Sequence, residues 1–183
     1  MKKITTIMFV FISIFFITYL LLPNPFFPEP PLDALQSNEP ADSEDVMRRA
    51  YFTNYNREEV MEHYVSEFKK PVTLGLHIPS YRLNYPPEEA NVIIRDRTRS
   101  TFLEEIVHPL RESVYVNGFK PTSEKDAIFI EGKEWNQKIT VRLVSSASLI
   151  RVVIALVTLL LVVILTSEWG TSIKGIFNQR KKQ

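Results

Sequence analysis

Apolar residues follow three rhythms along this chain, and each rhythm predicts a different element. The first is unbroken. Residues 4–22, ITTIMFVFISIFFITYLLL, run nineteen positions without a charge. As a helix they reach roughly 28 Å, close to the thickness of a bilayer core. Residues 152–166, VVIALVTLLLVVILT, repeat the pattern, and Leu149 and Ile150 extend it beyond Arg151. Arg151 falls in the first turn, where its long stem can carry the guanidinium back to the interface. Neither run has a polar stripe, so both are expected to span a membrane, over 4–22 and 148–166. A cleavable signal peptide competes for the first run. The following LPNPFFPEPP places prolines and aromatics where a cleavage site needs small residues, which favours an uncleaved anchor.

The second rhythm is helical. In NREEVMEHYVSEFKK, Asn56 can cap, Glu59 completes a capping-box pair, and Val60, Met61, Tyr64, Val65 and Phe68 form a stripe. Lys69, Lys70 and Pro71 end it. Pro86-Pro87-Glu88-Glu89 announces a second, short helix that buries Ala90, Ile93 and Ile94, with Arg95, Arg97 and Arg99 at its C-terminal end. Phe102, Leu103, Ile106, Val107 and Leu110 also share one arc of a helical wheel, so a third short helix is expected, ending before Pro109. One continuous helix from 87 to 108 would put its two apolar patches on opposite sides, so a break is expected over 98–101.

The third rhythm is alternation, the mark of a half-buried strand. It occurs in RAYFTN (49–54), VTLGLHI and SYRLNY (72–85), SVYVNGFK (113–120), 127–131 and 138–144. Asn117-Gly118 reads as a turn signal. Ile139, Val141 and Leu143 should point one way, Thr140 and Arg142 the other. Together these predict an α+β domain over 48–147, a small antiparallel sheet carrying two or three helices. Residues 23–47 hold six of the twelve prolines and then an acidic run, which predicts an extended stalk with Phe26 and Phe27 at the headgroup level. Residues 1–3 and 167–183 remain as short ends. The second carries an interfacial Trp169 and a weak amphipathic pattern suited to lipid.

Charge adds orientation. Lys2 and Lys3 precede the first span, and Lys174, Arg180, Lys181 and Lys182 follow the second, whereas 23–47 holds no Lys or Arg. Positive residues favour the cytoplasm, so both termini are expected inside and the central domain outside. The formal charge of +1 conceals this split, because residues 23–150 contain 15 basic and 20 acidic residues. An acidic domain argues against nucleic acid as a partner. The absence of cysteine excludes disulfides and thiolate chemistry, and no N-x-[ST] acceptor occurs. Both suit a bacterial envelope. The expected partners are membrane lipid and another envelope or membrane protein.

Chemistry has few candidates. His63, His77 and His108 show no ligand spacing, so no metal is expected. Ser66-Glu67-Phe68-Lys69 matches S-x-x-K without its companion motifs. Five scattered glycines form no phosphate cradle, and no cofactor is expected. Glu104, Glu105 and His108 are the catalytic candidates: on a helix, Glu104 and His108 would lie one turn apart and could share a proton, with Glu105 or Asp96 as second acid. Arg95, Arg97 and Arg99 could bind a carboxylate or phosphate through their forked donors. Against these stand ordinary solvated faces and helix-end charges. Tyr51, Phe52, Tyr55, Tyr81, Tyr85, Tyr115 and Phe119 suit a ligand groove or a small core equally. The sequence therefore favours a non-catalytic interaction or structural subunit of an envelope assembly. The alternatives are a membrane-anchored hydrolase using the Glu/His pair and an accessory subunit of a transport or secretion complex.

Overall fold

A computed structural model describes residues 2–70 and 77–180 of the chain. It divides into two compact units: Pro23–Ser146, and a second unit that joins Met1–Leu22 to Ala147–Gln183. In the latter, helix α1 spans Lys2–Leu21 and helix α4 spans Ser148–Arg180, and the two are in contact. Both are long and apolar enough to cross a membrane, over Lys3–Leu21 and Ser148–Ser172. The expected boundary at residue 166 is not a break, since α4 continues as one helix to Arg180. The side chains of the expected amphipathic tail lie outside the described residues.

The central unit is α+β. Its six-stranded antiparallel sheet has the order β1-β2-β8-β5-β4-β3, from strands Leu35–Gln36 (β1), Arg48–Thr53 (β2), Tyr81–Tyr85 (β3), Phe102–Val107 (β4), Ser113–Phe119 (β5) and Gln137–Val144 (β8). Strands β6 (Ile128–Ile130) and β7 (Lys133–Trp135) form a separate hairpin. Glu131 and Gly132 close it at φ 54° and 75°, the paired left-handed conformation that two-residue hairpin turns require.

Helix α2, Arg57–Phe68, is the element that the sequence specifies most fully. Asn56 accepts from the backbone N–H of Glu58 and Glu59, and the Glu59 carboxylate accepts from the N–H of Asn56, closing the capping box. Its stripe of Val60, Met61, Tyr64 and Phe68 is buried on one sheet face against Tyr51, Phe102, Ile106, Val114, Val116, Ile139, Val141 and Leu143. The opposite face carries a smaller cluster: Ala90 and Ile94 around helix α3, Ala90–Ile93, meet Leu103, with Tyr85, Ile93 and Tyr115 beside them. Val114, Val116, Ile139, Val141 and Leu143 follow the expected alternation.

Three expectations are revised. Residues 102–107 are strand β4, not a helix, paired on both sides: Glu104 lies opposite Asn84 of β3 and Val116 of β5. Both faces of this strand are covered, so Phe102, Glu104 and Ile106 point to α2 while Leu103 and Glu105 are buried opposite. Each face includes a carboxylate, and that is why no apolar–polar alternation is visible in FLEEIV. Asn117-Gly118 makes no turn, since both residues pair within β5. Gly118 is needed for space: a Cβ there would enter the ring of Phe102. Lastly, residues 23–47, expected as a stalk, belong to the compact unit. They supply β1, a buried Ser37–Asp42 hydrogen bond and Phe27, which packs on the main core beneath the Arg49 guanidinium. Phe26, by contrast, is fully in the open. The VTLGL stretch lies outside the described residues.

Candidate functional site

The three catalytic candidates come from one short stretch, but the fold sends them to three environments. Glu104 points from β4 toward the start of α2. Its carboxylate is buried at 1% exposure and receives Arg57 from the first turn of α2, Nε to Oε1 at 2.7 Å. Arg82 of β3 donates from Nη2 to Oε1 at 2.8 Å and from Nε to Oε2. Arg82 also reaches Glu58, and Arg57 reaches the Asn84 amide oxygen at 3.2 Å. Burial alone would raise the Glu104 pKa. The guanidinium donors outweigh it, and the carboxyl is held below its usual range. A general acid requires the opposite shift.

Glu105 emerges on the other face. Its Oε2 accepts from the Tyr85 hydroxyl at 2.6 Å, and Tyr115 lies beside Tyr85 with ring centroids 6.1 Å apart. The Glu105 hydrogen bond, aided by burial, raises the Tyr85 pKa; burial and then Glu105 raise that of Tyr115. Both hydroxyls stay protonated and donate inward. This is a neutral-donor carboxylate site, unlike the guanidinium-clamped one at Glu104.

His108 sits past the end of β4 in the tight connection to β5. The residue is 1% exposed, and its imidazole stacks on Phe68 at 4.0 Å. The Nδ1–H donates to Glu112 Oε1 at 2.8 Å, since a carboxylate only accepts. Arg111 completes the group, with Nε donating to Glu112 Oε2 at 3.1 Å and Nη2 donating to the Pro23 carbonyl at 2.9 Å. Burial pushes the Glu112 pKa up, but His108 and Arg111 together bring it below the ordinary value. Glu104 and His108 thus do not share a proton: each has its own partner.

The arginine candidates fare differently. Helix α3 ends at Ile93, so Arg95, Arg97 and Arg99 lie in the loop beyond it rather than on its last turn. All three are exposed, with Arg95 at φ 55°. Between them Asp96 is buried and pins the loop. It accepts from the Thr98 backbone and hydroxyl at 3.0 and 2.6 Å and from Asn117 Nδ2 at 3.0 Å. Burial opposes ionisation of Asp96, and the hydroxyls of Thr140 and Thr98 lead the donors that overcome it and lower its pKa. Arg97 and Arg99 border an open cavity of about 770 Å³ together with Asn91 and Ser100.

Sequence reasoning missed Arg57, Arg82 and Glu112. The signal for Glu112 was present, four residues after His108, but a helix reading of 102–108 hid the hairpin that joins them. Lys138 was missed too. It lies buried in β8 between Asp42, at 2.7 Å, and Glu39, at 2.9 Å, and these carboxylates raise its pKa against the opposing effect of burial. Comparison with protein-family models, with curated proteins and with solved structures finds no match to this chain.

Proposed function

We propose that this chain is a two-span membrane protein that holds its 23–146 unit outside the cytoplasm as a non-catalytic interaction or structural subunit of a bacterial cell-envelope assembly. Both termini lie in the cytoplasm, as the lysines and arginines flanking the two apolar helices favour. The observation that carries the non-catalytic reading is the commitment of the acid–base candidates. Glu104 is clamped by two guanidiniums, Glu105 by tyrosine hydroxyls, and His108 by Glu112 beneath Phe68. Each of these ties one element to another, which is a structural task. The partner is another envelope or membrane protein.

The test uses the full chain in native membranes. A photo-crosslinking residue replaces exposed Val92, Phe129 or Leu160 in turn, and adducts are identified by mass spectrometry. A discrete protein adduct from position 92 or 129 supports the reading. Hydrolysis of an envelope polymer by the purified chain, lost in Glu104→Gln, would refute it. For topology, a reporter fused after Gln183 is expected in the cytoplasm, and external protease is expected to cut within 23–146 only.

A second reading is favoured by one specific observation. Arg95, Arg97 and Arg99 are exposed on a loop that buried Asp96 holds in place, which suits recognition of an anionic group on the partner. Replacing all three by Gln then removes the adduct at position 92 without altering folding.

A further inference from the structure

At one end of the sheet, four residues form a row of register partners: Tyr81 opposite Val107, Val107 opposite Ser113, and Ser113 opposite Val144. Tyr81 and Val144 are 59% and 41% exposed. Beyond the row projects the β4–β5 hairpin, tipped by Leu110 at 69% exposure. Leu110 has φ 59°. A leucine in this left-handed region costs about 1 kcal/mol or more where glycine would be relaxed. At this exposure the side chain gains little from burial inside the unit to set against that cost.

The hairpin beneath it is braced by backbone and side-chain hydrogen bonds. His108 N–H donates to the Glu112 carbonyl, Arg111 N–H donates to the His108 carbonyl, and the buried Glu112 carboxylate gathers His108 and Arg111. The same hairpin grips both ends of the unit. Arg111 Nη2 donates to the Pro23 carbonyl, Ser146 Oγ donates to the Arg111 carbonyl at 3.1 Å, and Asn24 Nδ2 donates to the Ser146 carbonyl at 3.2 Å. Helix α1 stops at Leu21 and α4 begins at Ser148, so only one residue separates each apolar helix from these anchored residues. Such a link spans about 7 Å at most. The chain thus passes from each apolar helix directly into residues hydrogen-bonded to Arg111, the neighbour of Leu110, or to one another. Phe26, three residues after Pro23, is 95% exposed.

We infer that the Leu110 tip, with Phe26, Tyr81 and Val144 around it, is a lipid contact that seats this end of the unit in the headgroup region of the bilayer. Apolar and aromatic side chains gain by entering that layer, and a stiff hairpin loses little freedom when they do. The buried His108–Glu112–Arg111 group acquires a purpose on this account: it holds the tip rigid against the chain that leads to the membrane. The inference rests on the two-span reading and adds to it a surface and its partner.

The chain has no cysteine, so single labels are clean. Full chains carrying Leu110→Cys, Phe129→Cys or Leu160→Cys are labelled with a polar fluorophore. They are reconstituted in phosphatidylcholine–phosphatidylglycerol vesicles containing nitroxide-bearing lipids. Position 129 lies on the β6–β7 hairpin, which joins the opposite end of the sheet, and position 160 lies inside α4. Loss of emission at 110 and 160 but not at 129 is expected. Loss at 160 with none at 110, or equal loss at 110 and 129, overturns the lipid contact and leaves the spans standing. No loss at 160 overturns the two-span reading itself. Leu110→Gly is expected to hold or raise the unfolding midpoint in detergent; a lower midpoint would mean that the leucine serves the fold, and would also overturn the inference.

Discussion

Two buried carboxylates in the central unit have nearly the same inventory and opposite surroundings. Glu104 has two arginine partners whose side chains are 42% and 35% exposed, so its ion pairs open onto water at the sheet edge. Glu112 has His108 and Arg111, and no member of that group is exposed at all. The first joins α2 to β3 and β4 and tolerates solvent. The second lies in a closed interior, where a charge without its partner is far more costly. On this comparison, burial of the cations rather than the number of ion pairs is expected to set how much each carboxylate contributes.

The most severe test of that contrast removes the enclosed acid. Glu112→Gln removes the carboxylate that His108 and Arg111 both meet in this closed interior, and a loss of about 3–5 kcal/mol in unfolding free energy is expected. Urea unfolding of the full chain in detergent, followed by the emission of Trp135 and Trp169, reads it. Glu104→Gln is expected to cost less, about 1–3 kcal/mol, because Arg57 and Arg82 can turn to water. Equal losses would erase the distinction between the two centres.

Acid sharpens the same comparison. Glu104, Glu112 and Asp96 all have folded pKa values below their ordinary ones. Their stabilisation is present above the ordinary carboxylate pKa, roughly 4, and drains away as pH falls through the lower folded values. Unfolding midpoints should therefore fall steeply below about pH 4. The slope should be shallower in Glu112→Gln, which has lost one of the three groups. The smallest effect belongs to Glu58. This carboxylate is held below its usual range by Arg82 but lies on the surface, and Glu58→Gln should leave the midpoint unchanged while Glu104→Gln lowers it.

Legibility of the fold followed how polar groups are used. Helix α2 was readable because its polar residues are local: Asn56 and Glu59 cap their own helix, and the apolar stripe follows directly. The two long apolar runs were readable for the same reason, since length and absence of charge suffice. Strand β4 was not. Its two glutamates are held by distant partners, Glu104 by arginines 22 and 47 positions away and Glu105 by a tyrosine 20 positions away, and no local pattern announces a carboxylate that needs such partners. The same holds for residues 23–47, where prolines suggested a free tether. The packing of Phe27 under Arg49 and the pairing of Leu35 with Phe52 depend on strands not yet formed when the segment is read alone. For the candidate residues, the one-dimensional pattern showed neither their burial nor their partners. Glu104, Glu105 and His108 are buried and hydrogen-bonded, yet they serve separate contacts.

The central claim is that Glu104 is retained for architecture. A double-mutant cycle between Arg82→Gln and Glu104→Gln, read by urea unfolding of the full chain in detergent, tests it most directly. The structure requires Glu104→Gln to be destabilising and the pair to be coupled by about 0.5–3 kcal/mol. A Glu104→Gln chain as stable as the parent, or more stable, would contradict the claim, because that is how a carboxylate held in place for chemistry behaves when removed.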